Sequence, residues 1–268
     1  MTGFGAWSLY EELLGGIPTD VLVRDVCMGA HWSYVEAESG MGVASTCKGG
    51  TRHRLNRSSL VGRPLAEVAA LVRSWDFEAA SIGVAAMNAW YNTPSLPGVN
   101  GDESWLATSE DSGKGALEGD PFFTVPQLMH NFCKQKGRPA KTVVVGHFPN
   151  MEGMAKEGEL YVLERSPRSD IDLPDSACEY LLPEADYALL TGMTEANKTM
   201  PRLLSLASGA TTWVVGPSTT LSSLILDAGA SSLAGSVVED PEKLRDCVTV
   251  GGSPVRASGL KSCVITRG

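Results

Sequence analysis

Polar side chains with chemical potential recur in this chain at one kind of place, the carboxyl end of a short apolar run. Lys141-Thr-Val-Val-Val-Gly leads into His147, the run Glu159 to Glu164 ends on a carboxylate, and Tyr187 to Thr191 ends on a hydroxyl, with Asn197 a few residues on. A fourth run, Thr212 to Gly216, passes straight into Pro217, Ser218 and Thr219. An imidazole so placed has the chemistry of a general base, of a metal ligand, or of a hydrogen-bonded strand end. Glu164 is placed to meet a ribose hydroxyl or a metal ion, and equally to bond loop amides. Ser218 and Thr219, with the amides of a following helical turn, suit an anion, but they suit helix capping as well. Thr191 and Asn197 carry the same double reading.

These groups can act together only if the runs lie side by side. Each is four to seven residues long, rich in Val, Leu and Ala, and closed by Gly or a polar turn, which is the pattern of strands buried on both faces. A fifth run, Ser232 to Val238, ends at Glu239-Asp240-Pro241. Helical segments between most of them make a doubly wound parallel α/β sheet the economical reading, with ligands expected beyond the carboxyl ends of its strands. An ordinary dinucleotide site would need G-x-G-x-x-G after the first strand. Gly146-His-Phe-Pro149 fills that position with an aromatic ring and a proline, so no NAD is expected. There is no G-x-S-x-G elbow, Walker loop or H-E-x-x-H pair.

The first half is of a different kind. A short amphipathic helix from Trp7 to Leu14 is stopped by Gly15-Gly16, and Val21 to Cys27, His31 to Ala37 and Val43 to Cys47 then read as an antiparallel meander. Two helices follow, Leu65 to Ser74 behind Pro64, and one capped by Asp76 that runs to Trp90. The second is dense in Ala and Gly, which permits close approach of another backbone, and it carries Asn88, whose amide needs a partner if buried. From Asn92 to Gly119 the composition turns to Pro, Gly, Ser and acids, a linker or long excursion, so the domains expected are 1–119 and 120–268.

At 268 residues, 43% hydrophobic, the chain can build one large core or two modest ones. A formal charge of −9 argues against broad nucleic-acid or anionic-membrane binding. The basic cluster Thr51 to Arg57 reads as a solvated loop. No apolar run approaches the roughly 20 residues of a spanning helix, and the acidic first segment is unlike a signal peptide, so a cytoplasmic location is expected. Six scattered cysteines show no CxxC pair, and the four histidines are isolated, so any metal site must be assembled in space.

As an ordered set, Val145-Gly-His-Phe-Pro149, the Glu164 strand end, Leu182-Pro-Glu-Ala-Asp186, Leu190-Thr-Gly192, Asn197-Lys-Thr199, Gly216-Pro-Ser-Thr219 and Leu233-Ala-Gly235 resemble the "putative heavy-metal chelation" family of bacterial and archaeal proteins. Gly29-Ala-His-Trp-Ser-Tyr-Val35, Gly40-Met-Gly42 and Gly83-Val-Ala-Ala-Met-Asn-Ala89 resemble the companion domain that often precedes it. The resemblance implies a small α+β domain with an enolase-N-terminal-like fold followed by a Rossmann-like domain, and a role in heavy-metal chelation or anaerobic cobalamin synthesis. By carry-over it implies a cleft between the domains, with His147, Glu164, Thr191, Asn197 and Ser218 on one side and His31, Trp32 and Asn88 on the other. His147, Glu164 and His31 are then the candidate ligands for a divalent or heavy-metal ion. Three readings stay open: a metal-handling protein, an enzyme or binder for a small anionic or nucleotide-like metabolite, and a scaffolding protein with a vestigial cleft. Whether the chain is an enzyme or forms a homo-oligomer also stays open.

Overall fold

The computed structural model describes residues 5–51, 55–98, 105–109, 120–149, 151–167, 169–254 and 259–267. The core of the basic cluster, at 52–54, and more than half of 92–119 lie outside the described residues.

After helix α1 (Ser8–Gly15), strands β1 (Val23–Met28), β2 (Trp32–Ala37) and β3 (Met41–Ser45) form an antiparallel sheet in chain order, with Val26 opposite Val35 and Tyr34 opposite Val43. Helices α2 (Leu65–Ala69) and α3 (Phe77–Tyr91) complete the α+β unit. Asp76 caps α3 as its position suggests, Oδ1 accepting from the amides of Glu78 at 3.0 Å and Ala79 at 3.1 Å. The small residues of this region serve close packing. A Cβ on Gly42 would stand 2.1 Å from the Ala89 nitrogen and 2.2 Å from the Ala85 oxygen, so only glycine lets β3 lie against α3.

The second half builds an alternation of strands and helices. Its strands are β4 (Trp105–Ser109), β5 (Lys141–Val145), β6 (Glu159–Glu164), β7 (Asp172–Pro174), β8 (Tyr187–Thr191), β9 (Thr211–Val215), β10 (Ser232–Val238) and β11 (Leu260–Arg267). The helices are α4 (Pro121–Lys136), α5 (Glu152–Glu157), α6 (Cys178–Leu181), α7 (Met193–Ala196), α8 (Met200–Leu206), α9 (Ser223–Asp227) and α10 (Pro241–Thr249). The eight strands lie in the order β4-β11-β10-β9-β8-β5-β6-β7. All pairings from β10 through β9, β8, β5 and β6 to β7 are parallel, while β11 is antiparallel to β10 and to β4. The five strands read from the sequence are therefore parallel neighbours, and β7, β11 and β4 extend the sheet on its two flanks. Strand β4 falls inside the stretch read as a linker.

From β5 the chain steps outward to β6 and β7, then returns to the other side of β5 with β8, β9 and β10. That reversal places the topological switch point between the ends of β5 and β8, the ordinary location of a ligand crevice in such sheets. Side-chain alternation sorts the two faces. Val143, Val145, Leu163, Ala188, Leu190 and Val214 belong to a core that continues into the first half of the chain. Val144, Val162, Leu189, Trp213 and Val215 pack instead with Val125 and Met129 of α4 and Met154 of α5. A separate cluster joins Tyr34, Met41 and Val43 to Leu244 and Val248 of α10, so the two halves meet in two places.

Candidate functional site

The end of β5 turns sharply. Gly146 has φ +105°, and a Cβ there would meet the Thr191 side chain at 3.0 Å and the Phe148 ring at 3.5 Å. Phe148 packs on Phe122, ring centroids 5.4 Å apart. His147 beside it is one-third exposed, and its Nδ1 faces Asp172 Oδ1 at 3.4 Å. The Asp172 side chain is fully buried and accepts from the Ser169 amide at 3.0 Å and hydroxyl at 2.9 Å. A buried carboxylate this close to Nδ1 is the kind of partner that orients a metal-ligating or proton-accepting imidazole. Glu164, half-buried, closes β6 in register with Pro174 of β7.

A second group of side chains faces the first half of the chain. Arg165 and Lys198 both stand against the Phe77 ring, at 5.8 and 5.3 Å from its centroid, and Lys198 lies 5.9 Å from the Trp75 ring. Lys198 has φ +66°, an uncommon conformation for a non-glycine residue. Asn197 holds that turn, its Oδ1 accepting from the Thr199 amide at 3.1 Å and hydroxyl at 2.6 Å. The ammonium donates to the Ala196 carbonyl at 2.7 Å. Burial pushes Lys198 down to about 8, opposed by the charges of Cys47 and Asp76. Cys47 is buried, and burial raises its thiol against the pull of Arg165 and Lys198. Arg165 also meets Asp175 at 3.2 Å.

The end of β9 is different in character. Ser218 Oγ accepts from the Ser45 amide at 2.8 Å and donates to the Ser45 hydroxyl at 3.2 Å. Asn88 is fully buried, its Nδ2 donating to the carbonyls of Val43 at 3.0 Å and Ser218 at 3.1 Å. Asn92, one turn on along α3, donates to the carbonyls of Thr219 at 2.9 Å and Ser236 at 3.0 Å and accepts from the Leu221 amide at 2.8 Å. Thr220 Oγ lies 2.8 Å from Asn88 Oδ1 and 2.7 Å from Glu195 Oε2, while its amide donates to Glu195 Oε1 at 3.1 Å. Burial pushes Glu195 up to about 7, and only the Thr220 hydrogen bonds oppose the shift. Ser218 and Thr219 thus differ from the anion pocket read from the sequence. The next helix, α9, starts at Ser223 with Ser222 as its cap, and residues 218–221 are bonded into the junction of the two halves. The buried Thr219 hydroxyl has no partner among the described residues.

The other expected residues separate. Thr191 packs on the β5 turn, and its carbonyl accepts from the Thr194 hydroxyl at 2.6 Å. Trp32 packs with the α10 cluster rather than with the strand ends, and His31 is exposed in the β1–β2 turn. The structure therefore joins Asn88 to Ser218, and Thr191 to the turn that carries His147, but shows no contact between His31 and either His147 or Glu164. Among the described residues no three of His, Cys, Asp or Glu lie close enough together to hold one ion. Among the described residues a protein-only cage does not fit, whereas a single imidazole fits an ion whose other positions are filled from outside. A shallow groove of about 430 Å³, lined by Pro126, Gln127, His130, Asn131 and Glu157, lies away from these residues between α4 and α5.

Sequence reasoning missed Asp172, Arg165, Lys198, Cys47, Asn92 and Glu195. Only Lys198 carried a signal, the turn-prone Asn197-Lys-Thr199 string.

Two family models match the chain, DUF364 over residues 131–266 and DUF4213 over residues 10–91, both described as "Putative heavy-metal chelation". No curated protein matches. Among solved structures, a DUF364-family protein of unknown function from Desulfitobacterium hafniense is 30% identical at a TM-score of 0.78, covering 99% of this chain and 100% of its own. Another of unknown function, from Pyrococcus horikoshii, is 20% identical at 0.75, covering 96% and 98%.

Proposed function

The chain belongs to the DUF364 family, and from that premise we propose that it binds a metal ion as cargo at the carboxyl edge of its parallel sheet, with His147 as the protein's ligand. The observation that carries this reading is the buried Asp172 carboxylate behind His147 Nδ1, a carboxylate–histidine pair on an exposed edge beside the switch point. Glu164, at the end of the adjacent strand, is the candidate second donor. With so few protein donors, the remaining coordination positions belong to water or to a small chelating molecule, and an imidazole suits zinc, copper, iron or nickel.

Untagged protein is titrated with each of these divalent ions by calorimetry, with metal content checked after gel filtration. One ion per chain is expected, lost on His147→Ala and weakened about 10–100-fold on Asp172→Asn. Binding unchanged in His147→Ala, or none to the wild type, overturns the reading.

One observation favours a second reading, a small anionic metabolite. Arg165 and Lys198 converge on Phe77, and Lys198 meets a backbone carbonyl rather than a carboxylate at ion-pair distance among the described residues. Thermal stabilisation by phosphate or a dicarboxylate, abolished in Lys198→Ala, supports it; equal stabilisation of wild type and variant rejects it.

A further inference from the structure

The contacts around Thr220 contain more acceptors than an ionised Glu195 allows. Asn88 is fixed in orientation, because its Nδ2 lies between two carbonyl oxygens and can only donate, which makes Oδ1 an acceptor. Thr220 Oγ is 2.8 Å from that acceptor and 2.7 Å from Glu195 Oε2, yet a hydroxyl has one proton. If Glu195 is a carboxylate, one of these short contacts sets two lone-pair oxygens against each other in a fully buried place. If Glu195 is a carboxylic acid, every role is filled: Oε1 accepts from the Thr220 amide, Oε2–H donates to Thr220 Oγ, and Thr220 donates to Asn88 Oδ1.

We propose that Glu195 is a neutral acid whose proton latches the two halves of the molecule, running the chain Glu195 to Thr220 to Asn88 from α7 to α3, and that losing this proton releases the latch. Among the described residues no charged side chain confronts it. Helix α1 presents Tyr10, whose hydroxyl donates to the Glu195 backbone carbonyl at 3.0 Å and which burial keeps protonated. Helix α3 presents the neutral amides of Asn88 and Asn92, and the 218–222 segment presents hydroxyls. Lys198, on α7's own C-terminal turn, directs its ammonium to the Ala196 carbonyl and the aromatic rings. The shift to about 7 follows from burial without any neighbouring charge.

The latch also bears on the open edge. The Lys198 amide donates to the Glu195 carbonyl at 3.3 Å, so the turn that presents Lys198 hangs from the same residue. Release of the proton therefore loosens the junction behind Lys198 and Ser218, whatever the edge binds.

The test uses the full chain. A folded carboxyl that holds its proton more tightly than the unfolded one makes stability fall as pH rises, here between the ordinary 4.5 and about 7. Wild type is expected to lose stability over that window with a linkage of about one proton relative to Glu195→Gln, whose amide can donate to Thr220 at every pH. Infrared spectra of the wild type at about pH 6 should show a protonated carboxyl band that is absent from the variant. Parallel stability profiles, or no such band, overturn the proposal. If Glu195→Gln does not fold, the wild-type spectrum decides alone: a protonated carboxyl band that fades as pH rises supports the proposal, and its absence overturns it.

Discussion

Two stretches of the same sheet edge have opposite fates. Beyond β9, residues 218–221 are closed over: two carboxamides from α3, Asn88 and Asn92, bond their backbone, and Thr220 joins Asn88 to Glu195. Beyond β5 and β6, His147 and Arg165 are left part-exposed, each with one carboxylate at ion-pair distance among the described residues. Both stretches begin as an apolar strand running into small or polar residues. What separates them is delivery from another element: Asn88 in α3 and Asn92 at its C-cap, one turn apart, meet successive carbonyls. A polar strand end becomes structural when such groups arrive, and stays available when they do not.

The contrast is broken most forcefully at its foundation. Gly42→Ala forces a Cβ into the backbone of α3 beside Asn88, and a loss of roughly 4 kcal/mol or more is expected in urea unfolding. Asn88→Ala removes a donor shared by two buried carbonyls and an acceptor of the Thr220 hydroxyl and should cost about 3 kcal/mol. Glu195→Gln should gain up to about 3 kcal/mol at pH 8, where the wild type has given up its proton at the expense of the fold, and nothing at pH 4, where both states are protonated. On the open side the effects move from stability to binding. Asp172→Asn should weaken metal affinity about 10–100-fold. His147→Ala should shift stability by less than about 0.5 kcal/mol while removing the ion. An Asn88→Ala variant as stable as His147→Ala would erase the distinction.

Much of the frame was legible because buried parallel strands are written as unbroken apolar runs. Glu159 to Glu164, Tyr187 to Thr191 and Ser232 to Val238 coincide with β6, β8 and β10. Strands at the flanks were not legible. Trp105–Ser109 is surrounded by glycine and acids, Asp172–Pro174 is three residues long, and Leu260–Arg267 mixes charges into its pattern, since strands outside the buried centre need no apolar continuity. The edge itself was read only in part. His147 stood out by its position, but Asp172 is set in a loop sequence with nothing to tie it to an imidazole 25 residues earlier. Glu195 drew no reading from the sequence; its burial depends on α1 and α3 arriving from the other half. For Ser218 and Thr219 the sequence left an anion pocket and helix capping both open, and it held no sign of the carboxamides from about 130 residues away that bond their carbonyls.

Strand β4 has a practical consequence. It covers the outer row of β11, yet it lies between the stretches that the two family models match, 10–91 and 131–266. A fragment begun at residue 120 would carry a bare β11 rim, with unpaired amides and carbonyls inviting another molecule to dock strand to strand. Begun ahead of Trp105, it would bring its own cover. Boundaries of sequence similarity therefore make poor cutting marks for expressing either half, and aggregation of a short C-terminal piece would report the wrong incision rather than an unstable fold.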